Sequence, residues 1–355
     1  MFEIEKFISN PPFNLTSLEK EKKFLKIFID IINFHYKNCK NYKKILDEIY
    51  SDFRKSESLI DLPFLPTNIF KNHNMLSVKK DKIIKTISSS GTSGKTVSKI
   101  FLDKKNSINQ TKVLNKIVSH YIGKKRLPML VFDKKNILKD RNLFSARGAA
   151  ILGFSVFAND ITFALNGNDQ LNKQNIRNFL NKYKDRNYLI FGFTSIIWEK
   201  FYKELKNGKN NFSFENGILI HGGGWKKLES KKVTNKIFRQ KIKKKLKVNR
   251  IHNYYGMVEQ TGSIFFECDK CGFFNTHNFS EIIIRDSNFN SVEDGKKGIV
   301  QLFSVLPSSY PGHILLTEDI GYISNKNDCN CSYLGKRFKI LGRVKNAELR
   351  GCSDV

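Results

Sequence analysis

An α/β layered fold is what this sequence predicts, on three observations. Strand-like apolar runs at 129–132, 150–157, 188–191 and 217–220 alternate with helical stretches such as 196–205, and such alternation builds a sheet with helices packed on it. From Ser263 onward short β-type runs dominate, at 281–285, 299–305 and 313–316, with Gly and Pro between them. That half reads as a mainly antiparallel sub-domain. Finally, 355 residues with 40% hydrophobic content and 30 Phe supply a core large enough to offset the conformational entropy lost on folding.

Taken in order, Thr16 and Glu19 form a capping-box pattern ahead of Phe24, Leu25, Phe28, Ile29 and Ile32, which predicts helix over about 16–50. Cys39, beside Asn38 and Lys40 on this helix, reads as an ordinary structural residue. Pro63 and Pro66 interrupt the chain before a basic segment that reaches Ile83-Ile84. Val233, Ile237, Phe238, Ile242 and Leu246 recur at helical spacing, which puts the dense lysines between Lys241 and Lys247 on a solvated helix face. These signals divide the chain into an N-terminal helical segment (1–80), an α/β core (81–262), a β-rich sub-domain (263–342) and a short tail (343–355). There are no internal repeats and no low-complexity linker.

Lys and Arg number 62 against 33 Asp and Glu, a net charge of +29. A field of that sign attracts nucleic acid, anionic membrane or an acidic partner. A chain rich in Lys, Asn, Ile and Phe throughout, with its lysines spread out, reaches the same charge with no such partner. The arginine–aromatic signature of RNA-recognition domains is missing, so no nucleic-acid partner is expected. Residues 1–10 have no apolar signal region and no stretch reaches ~18 apolar residues; the expectation is a cytoplasmic protein without a membrane span. In that reducing compartment its six cysteines are candidates for metal ligands or a nucleophile and not for a disulfide scaffold.

Two stretches carry chemistry on their own residues. Ser88-Ser89-Ser90-Gly91-Thr92-Ser93-Gly94-Lys95-Thr96 follows the strand-like 83–87. Its glycines let backbone N–H groups approach an anion, its hydroxyls add donors and its lysine adds charge, so it can cradle phosphate. It is not a Walker A loop, which needs glycine where Ser89 stands, and a plain Ser/Gly turn has the same composition. Cys268-Asp269-Lys270-Cys271-Gly272 and Cys329-Asn330-Cys331 supply thiols in two close pairs on turn-rich segments, the usual raw material of a tetrahedral structural zinc site. The C-x-C half is less typical than C-x2-C, and spacing does not say whether the pairs meet.

The Ser/Thr/Gly loop resembles the phosphate loop of adenylate-forming enzymes, the superfamily of acyl-CoA synthetases, firefly luciferase and peptide-synthetase adenylation domains. Further stretches follow in the expected order: Phe191-Gly192-Phe193-Thr194, Ile220-His221-Gly222-Gly223-Gly224-Trp225, Tyr255-Gly256-Met257-Val258-Glu259-Gln260, Ser309-Tyr310-Pro311-Gly312-His313, Leu316-Thr317-Glu318-Asp319-Ile320-Gly321, Gly342-Arg343, and Glu348-Leu349-Arg350-Gly351-Cys352-Ser353-Asp354. Together they resemble the acyl-protein synthetase (LuxE-type) family of the bacterial bioluminescence fatty-acid reductase system. The resemblance spans about residue 30 to the end.

What the resemblance implies is the large domain of an adenylate-forming enzyme, layered sheets and helices with a β-rich sub-domain and a truncated C-terminal domain. Ser89, Ser90, Gly91, Thr92, Ser93 and Gly94 match the phosphate loop. Glu259 matches the carboxylate that holds Mg²⁺ on the ATP phosphates, a role that suits a hard oxygen ligand. Gly222, Gly223, Gly224, Tyr255 and Gly256 match the adenine pocket, which needs an aromatic face and close backbone approach. Asp319 matches the carboxylate that accepts from the ribose hydroxyls, and Arg343 the hinge arginine near the nucleotide. Val258 stands where most of the superfamily has a Thr that touches the α-phosphate, so no such contact is expected here. Longer relatives continue past the equivalent of Val355 into a mobile domain with a catalytic lysine, so Lys95 or another basic group is expected to neutralise charge in the adenylation transition state.

Cys352 matches the acyl acceptor of the acyl-protein synthetases. Arg350 and Lys345 would lower its pKa from ~8.5 and raise the thiolate fraction; an inert terminal thiol is the other reading. The implied reaction uses ATP, Mg²⁺ and a carboxylic acid, expected to be a fatty acid, to form acyl-AMP, then an acyl-cysteine, with a partner acyl reductase releasing aldehyde. Two alternatives stand beside it: a ligase delivering its acyl group to coenzyme A, a carrier protein or a sugar pathway, and a basic nucleic-acid-binding protein.

Overall fold

The computed structural model describes residues 4–50, 52–89, 97–138, 146–207, 212–225, 233–325 and 329–344. A short strand, β1 (Leu65–Pro66), precedes a hairpin of β2 (Ile83–Ser88) and β3 (Lys99–Asp103). β4 (Leu127–Lys134), β5 (Ala158–Leu165), β6 (Tyr188–Phe193), β7 (Gly217–Gly222), β8 (Arg250–Gly256) and β9 (Ile264–Phe266) then form one sheet in the order β5-β4-β6-β7-β8-β9. β10 (Phe274–Asn275), β11 (Ser280–Arg285), β12 (Gly298–Ser304), β13 (Ile314–Ile323) and β14 (Arg337–Arg343) form another, ordered β10-β14-β13-β12-β11, with β1 running parallel against β13.

Neighbours in the first sheet are parallel except β8 and β9, and every residue of β6 and β7 is buried. A parallel sheet covered on both faces has that signature. Side chains alternate between the faces: Met129, Val131, Leu189, Phe191, Ile218 and Ile220 enter one core, whereas Leu130, Phe132, Ile190, Leu219 and Ile251 enter the other. Val113 and Ile117 of the helix Lys104–Ile122 cover the first face; Ile176 and Phe179 of Lys173–Lys182, with Phe238 and Ile242 of Asn235–Leu246, cover the second. The lysines around 241–247 lie on the solvated side of that last helix, as its spacing predicted. In the second sheet the β10–β14 partners pair antiparallel.

Two expectations need correction. The run 150–157 is not a strand: the helix Ala146–Ser155 occupies it, and the strand starts afterwards at Ala158. Ile151 and Phe154, three residues apart, bury while Leu152 and Val156 stay exposed, and a short apolar run does not by itself separate the two periods. Helix over 16–50 is also not continuous. It breaks at Cys39, whose extended φ −118, ψ 103 ends Ser17–Asn38 and starts Lys40–Ile49, so Cys39 is a buried hinge between helices. The break turns the second helix inward, where Tyr42 Oη lies 3.2 Å from His313 Nε2. The stretch 196–205 is helical as expected, with a π-helical segment Ile197–Tyr202 inside it.

The capping box is present: the Thr16 N–H donates to Glu19 Oε2 at 2.8 Å and the Glu19 N–H to Thr16 Oγ1 at 3.3 Å. One residue further, Lys20 is buried, paired with Glu281 at 2.8 Å, and donates to Thr276 Oγ1 at 2.8 Å and the Ser280 carbonyl at 3.0 Å. This contact fastens the N-terminal helix to β11. Lys20→Met leaves Glu281 charged and buried, and is expected to cost about 3–5 kcal/mol in urea unfolding; a loss below ~1 kcal/mol would mean that another cation takes over. No helix among the described residues is long and apolar enough to cross a membrane.

Candidate active site

The site starts at the end of β7, where Gly222, Gly223 and Gly224 turn the chain, the last two with φ of +80° and +66°. A Cβ on Gly222 would lie 2.5 Å from the Tyr254 ring, and one on Gly223 2.7 Å from the Phe193 ring. The turn thus needs glycine for both conformation and space. Thr194, directly after β6, donates from Oγ1 to the Gly222 carbonyl at 3.0 Å and lies 2.9 Å from His221 Nδ1. Having spent its one proton on Gly222, Thr194 accepts from His221, which carries its hydrogen on Nδ1. Burial, helped by Arg239 and His252, pushes His221 down to about 3, so this clasp stays neutral and intact through the physiological range.

From β8 the chain runs through Tyr255 and Gly256 to Glu259, which is buried. The next residue anchors the segment. Gln260 Nε2 meets the carbonyls of Leu302, Gly312 and His313 at 3.1, 2.8 and 3.3 Å, while its Oε1 accepts from Ser263. The Thr261 N–H donates to Tyr310 Oη at 2.9 Å and its carbonyl accepts from Ser304 Oγ at 2.6 Å. At Gly262, φ +87°, a Cβ would sit 2.4 Å from Leu306. Fully partnered buried groups of this kind fix a loop in one geometry, here the one that presents Tyr255 and Glu259.

The β2–β3 hairpin is tied to the same region. Ser309 Oγ donates to the Phe101 carbonyl at 2.7 Å, and Asn106 Nδ2 to Thr261 Oγ1 at 3.2 Å. Ser89 closes the hairpin neck: its N–H donates to the Ser98 carbonyl at 3.0 Å and its Oγ accepts from the Ser98 N–H at 2.9 Å. Ser90, Gly91, Thr92, Ser93, Gly94 and Lys95 lie outside the described residues, as does Cys352.

Tyr255 reaches across to the second sheet, where its hydroxyl donates to Asp319 Oδ2 at 2.6 Å. In the β13–β14 register Asp319 lies opposite Arg343, whose Nε is 3.7 Å from Asp319 Oδ1 and whose other arm pairs with Glu318. Burial pushes the Asp319 carboxyl above its usual range, with Glu318 and Glu259 adding to the push and Tyr255 and Arg343 opposing it. Burial and the Asp319 charge also hold the Tyr255 phenol well above its usual pKa, so it stays a donor. The Asp319 carboxylate is held in orientation by an aromatic hydroxyl and an arginine, and is only half-buried.

Of the residues singled out from the sequence, Tyr255, Asp319 and Arg343 therefore meet, Glu259 lies close enough to act on Asp319, and the Gly222–Gly224 turn packs on the neighbouring Tyr254. Away from them, the Sγ atoms of Cys268, Cys271 and Cys329 gather within 4.8 Å of one another. Sequence reading assigned no role to Gln260, Thr194, Thr261, Ser309 or Asn106. The first four sit in or beside the motif stretches, where polar residues break the apolar rhythm; Asn106 carries no such signal.

The sequence profile described as "Acyl-protein synthetase, LuxE" matches residues 2–355. A long-chain-fatty-acid–luciferin-component ligase of Aliivibrio fischeri is 23% identical over 355 residues, covering 95% of this chain and 89% of that protein. One from Photorhabdus luminescens is 32% identical over 86 residues, 24% of this chain and 73% of that protein. Among solved structures, a 2-hydroxyisobutyryl-CoA ligase in an open conformation with 2-HIB-AMP and CoA superposes with a TM-score of 0.71 at 13% identity, covering 94% of this chain and 77% of that one. That likeness is one of fold. With the family profile running along the whole described site and both sheets, the chain belongs to the LuxE acyl-protein synthetase family and is a ligase built on an adenylate-forming fold.

Proposed function

We propose that this protein uses ATP and Mg²⁺ to convert a carboxylic acid, a long-chain fatty acid as the names of its relatives suggest, into an acyl-adenylate, and then moves the acyl group to Cys352 and on to a partner acyl reductase. The observation that carries the reading is the convergence of Tyr255, Asp319 and Arg343 with Glu259 beside them. An oriented, half-buried carboxylate is a fitting acceptor for two vicinal hydroxyls such as those of a ribose. Glu259, whose charge is felt at Asp319, offers a hard oxygen ligand for a divalent cation carried in on phosphates.

In the proposed mechanism Gly222, Gly223 and Gly256 keep the turn and the start of the Tyr255 segment packed against their neighbours, and Gly224, whose Cβ position meets nothing within 4 Å, leaves room for a flat base along the Tyr255 side. Asp319 holds the sugar, and Glu259 holds Mg²⁺, which supplies charge neutralisation on the phosphates when bound. The loop from Ser89 and Ser90 through Gly91, Thr92, Ser93 and Gly94 cradles the phosphates, with Lys95 and Arg343 offsetting charge in the transition state. A carboxylate oxygen of the acid attacks the α-phosphorus and pyrophosphate leaves. The Cys352 thiolate, its proton lost to solvent, then attacks the acyl carbonyl and AMP leaves, giving a thioester.

Pyrophosphate exchange into ATP, measured across carboxylic acids of graded chain length, tests the reading. Exchange with at least one acid is expected; none at any length would end the adenylation proposal. Asp319→Ala removes an ionised acceptor whose hydrogen bonds are worth about 1.5–3 kcal/mol each. Its Kd for ATP, by calorimetry, should rise at least about tenfold, and an unchanged Kd would remove Asp319 from the ribose role.

A further inference from the structure

The turn after β9 is a folded knuckle. The Cys268 N–H donates to the Phe273 carbonyl at 2.8 Å, the Gly272 N–H donates back to the Cys268 carbonyl at 2.9 Å, and Gly272 takes φ +71° to close it. The two cysteine pairs meet across 61 residues of sequence, with Cys268 Sγ 3.9 Å from Cys329 Sγ. Cys271 joins them, the three sulfurs lying within 4.8 Å of one another, and Cys331, half-buried two residues beyond Cys329 and outside that group of three, is the nearest thiol in sequence to supply a fourth.

We infer that Cys268, Cys271, Cys329 and Cys331 bind one zinc ion as a closed four-thiolate structural centre that clamps the β9–β10 turn to the segment entering β14. Distance decides between a metal and a disulfide. Ligands at ~2.3 Å from a tetrahedral zinc lie ~3.8 Å apart, close to the 3.9 Å separation of Cys268 and Cys329, whereas a disulfide needs ~2.05 Å. Four protein ligands leave no position for water or substrate, so the centre holds structure and does no chemistry. Besides the sulfurs, Lys270 Nζ bridges to the Asn330 carbonyl at 3.0 Å, and Arg239 ties the knuckle to the helix Asn235–Leu246 through the Cys268 carbonyl at 3.1 Å. Just past the centre, Phe274 of β10 pairs with Phe338 of β14, the strand that ends in Arg343. The clamp therefore secures the strand carrying the arginine that meets Asp319.

Elemental analysis of the full chain, purified without chelator, tests this. About one zinc per chain is expected. Replacement by Co²⁺ should give the intense visible bands and thiolate charge-transfer absorption of a tetrahedral thiolate site. Metal-free protein should melt at least about 5 °C lower than the same protein reloaded with zinc. Cys331→Ser should weaken the charge-transfer band by about a quarter if that sulfur is one of the four ligands; an unaltered band overturns the four-thiolate assignment. Stoichiometric iron, a melting temperature indifferent to metal, or an intact mass short by two hydrogens, the mark of a disulfide, each overturns zinc. The wild-type measurements stand alone if the serine variant fails to fold.

Discussion

Cys352→Ala is expected to keep acid-dependent pyrophosphate exchange at the wild-type level and to lose the covalent acyl group altogether. The two half-reactions use different atoms: adenylation needs oriented phosphates and a carboxylate nucleophile, transfer needs a thiolate. Wild-type protein incubated with ATP and its acid should gain one acyl mass by intact mass spectrometry. The adduct should form only when both are present and be removed by neutral hydroxylamine, as a thioester is. A variant that still gains a hydroxylamine-labile acyl group would move the acceptor to another cysteine. Wild-type protein that gains none, yet makes acyl-CoA from free coenzyme A, would make the chain a ligase for a soluble thiol.

Glu259→Gln is expected to lower acyl-AMP formation by about 100- to 1,000-fold, the usual cost of removing one group that stabilises transition-state charge. An amide keeps the volume of a side chain that is 5% exposed and supplies no negative charge to hold a metal. The melting temperature should stay close to wild type, because Gln260 and Thr261 keep the loop's grip on the carbonyls of Leu302, Gly312 and His313 and on Tyr310. Full Mg²⁺-dependent exchange in the variant would exclude Glu259 from the mechanism. Loss of exchange together with a large fall in melting temperature would make its role structural.

Local order was legible from the residues. The apolar runs that became β4, β6 and β7 were visible because parallel strands buried on both faces are apolar throughout, and Thr16 with Glu19 marked a helix start because a cap is made by neighbours three residues apart. The glycines at 222–224 marked a place of close backbone approach, and Cys268, Cys271, Cys329 and Cys331 stood out as two close pairs of candidate ligands.

What only the tertiary structure decided is every contact made across long separations. That Ala146–Ser155 is helix and not strand depended on which residues the core received, and the hinge at Cys39 depended on where Tyr42 had to reach. The meeting of Tyr255 with Asp319, of Asp319 with Arg343, and of Cys268 with Cys329 follows from sheet order and strand register. Register is set by burial of whole faces and leaves no mark on the spacing of the residues it brings together. Lys20 is the sharpest case: in the sequence it is one lysine in a basic chain, and in the fold it is a buried cation facing Glu281, because the N-terminal helix packs its first turn onto β11.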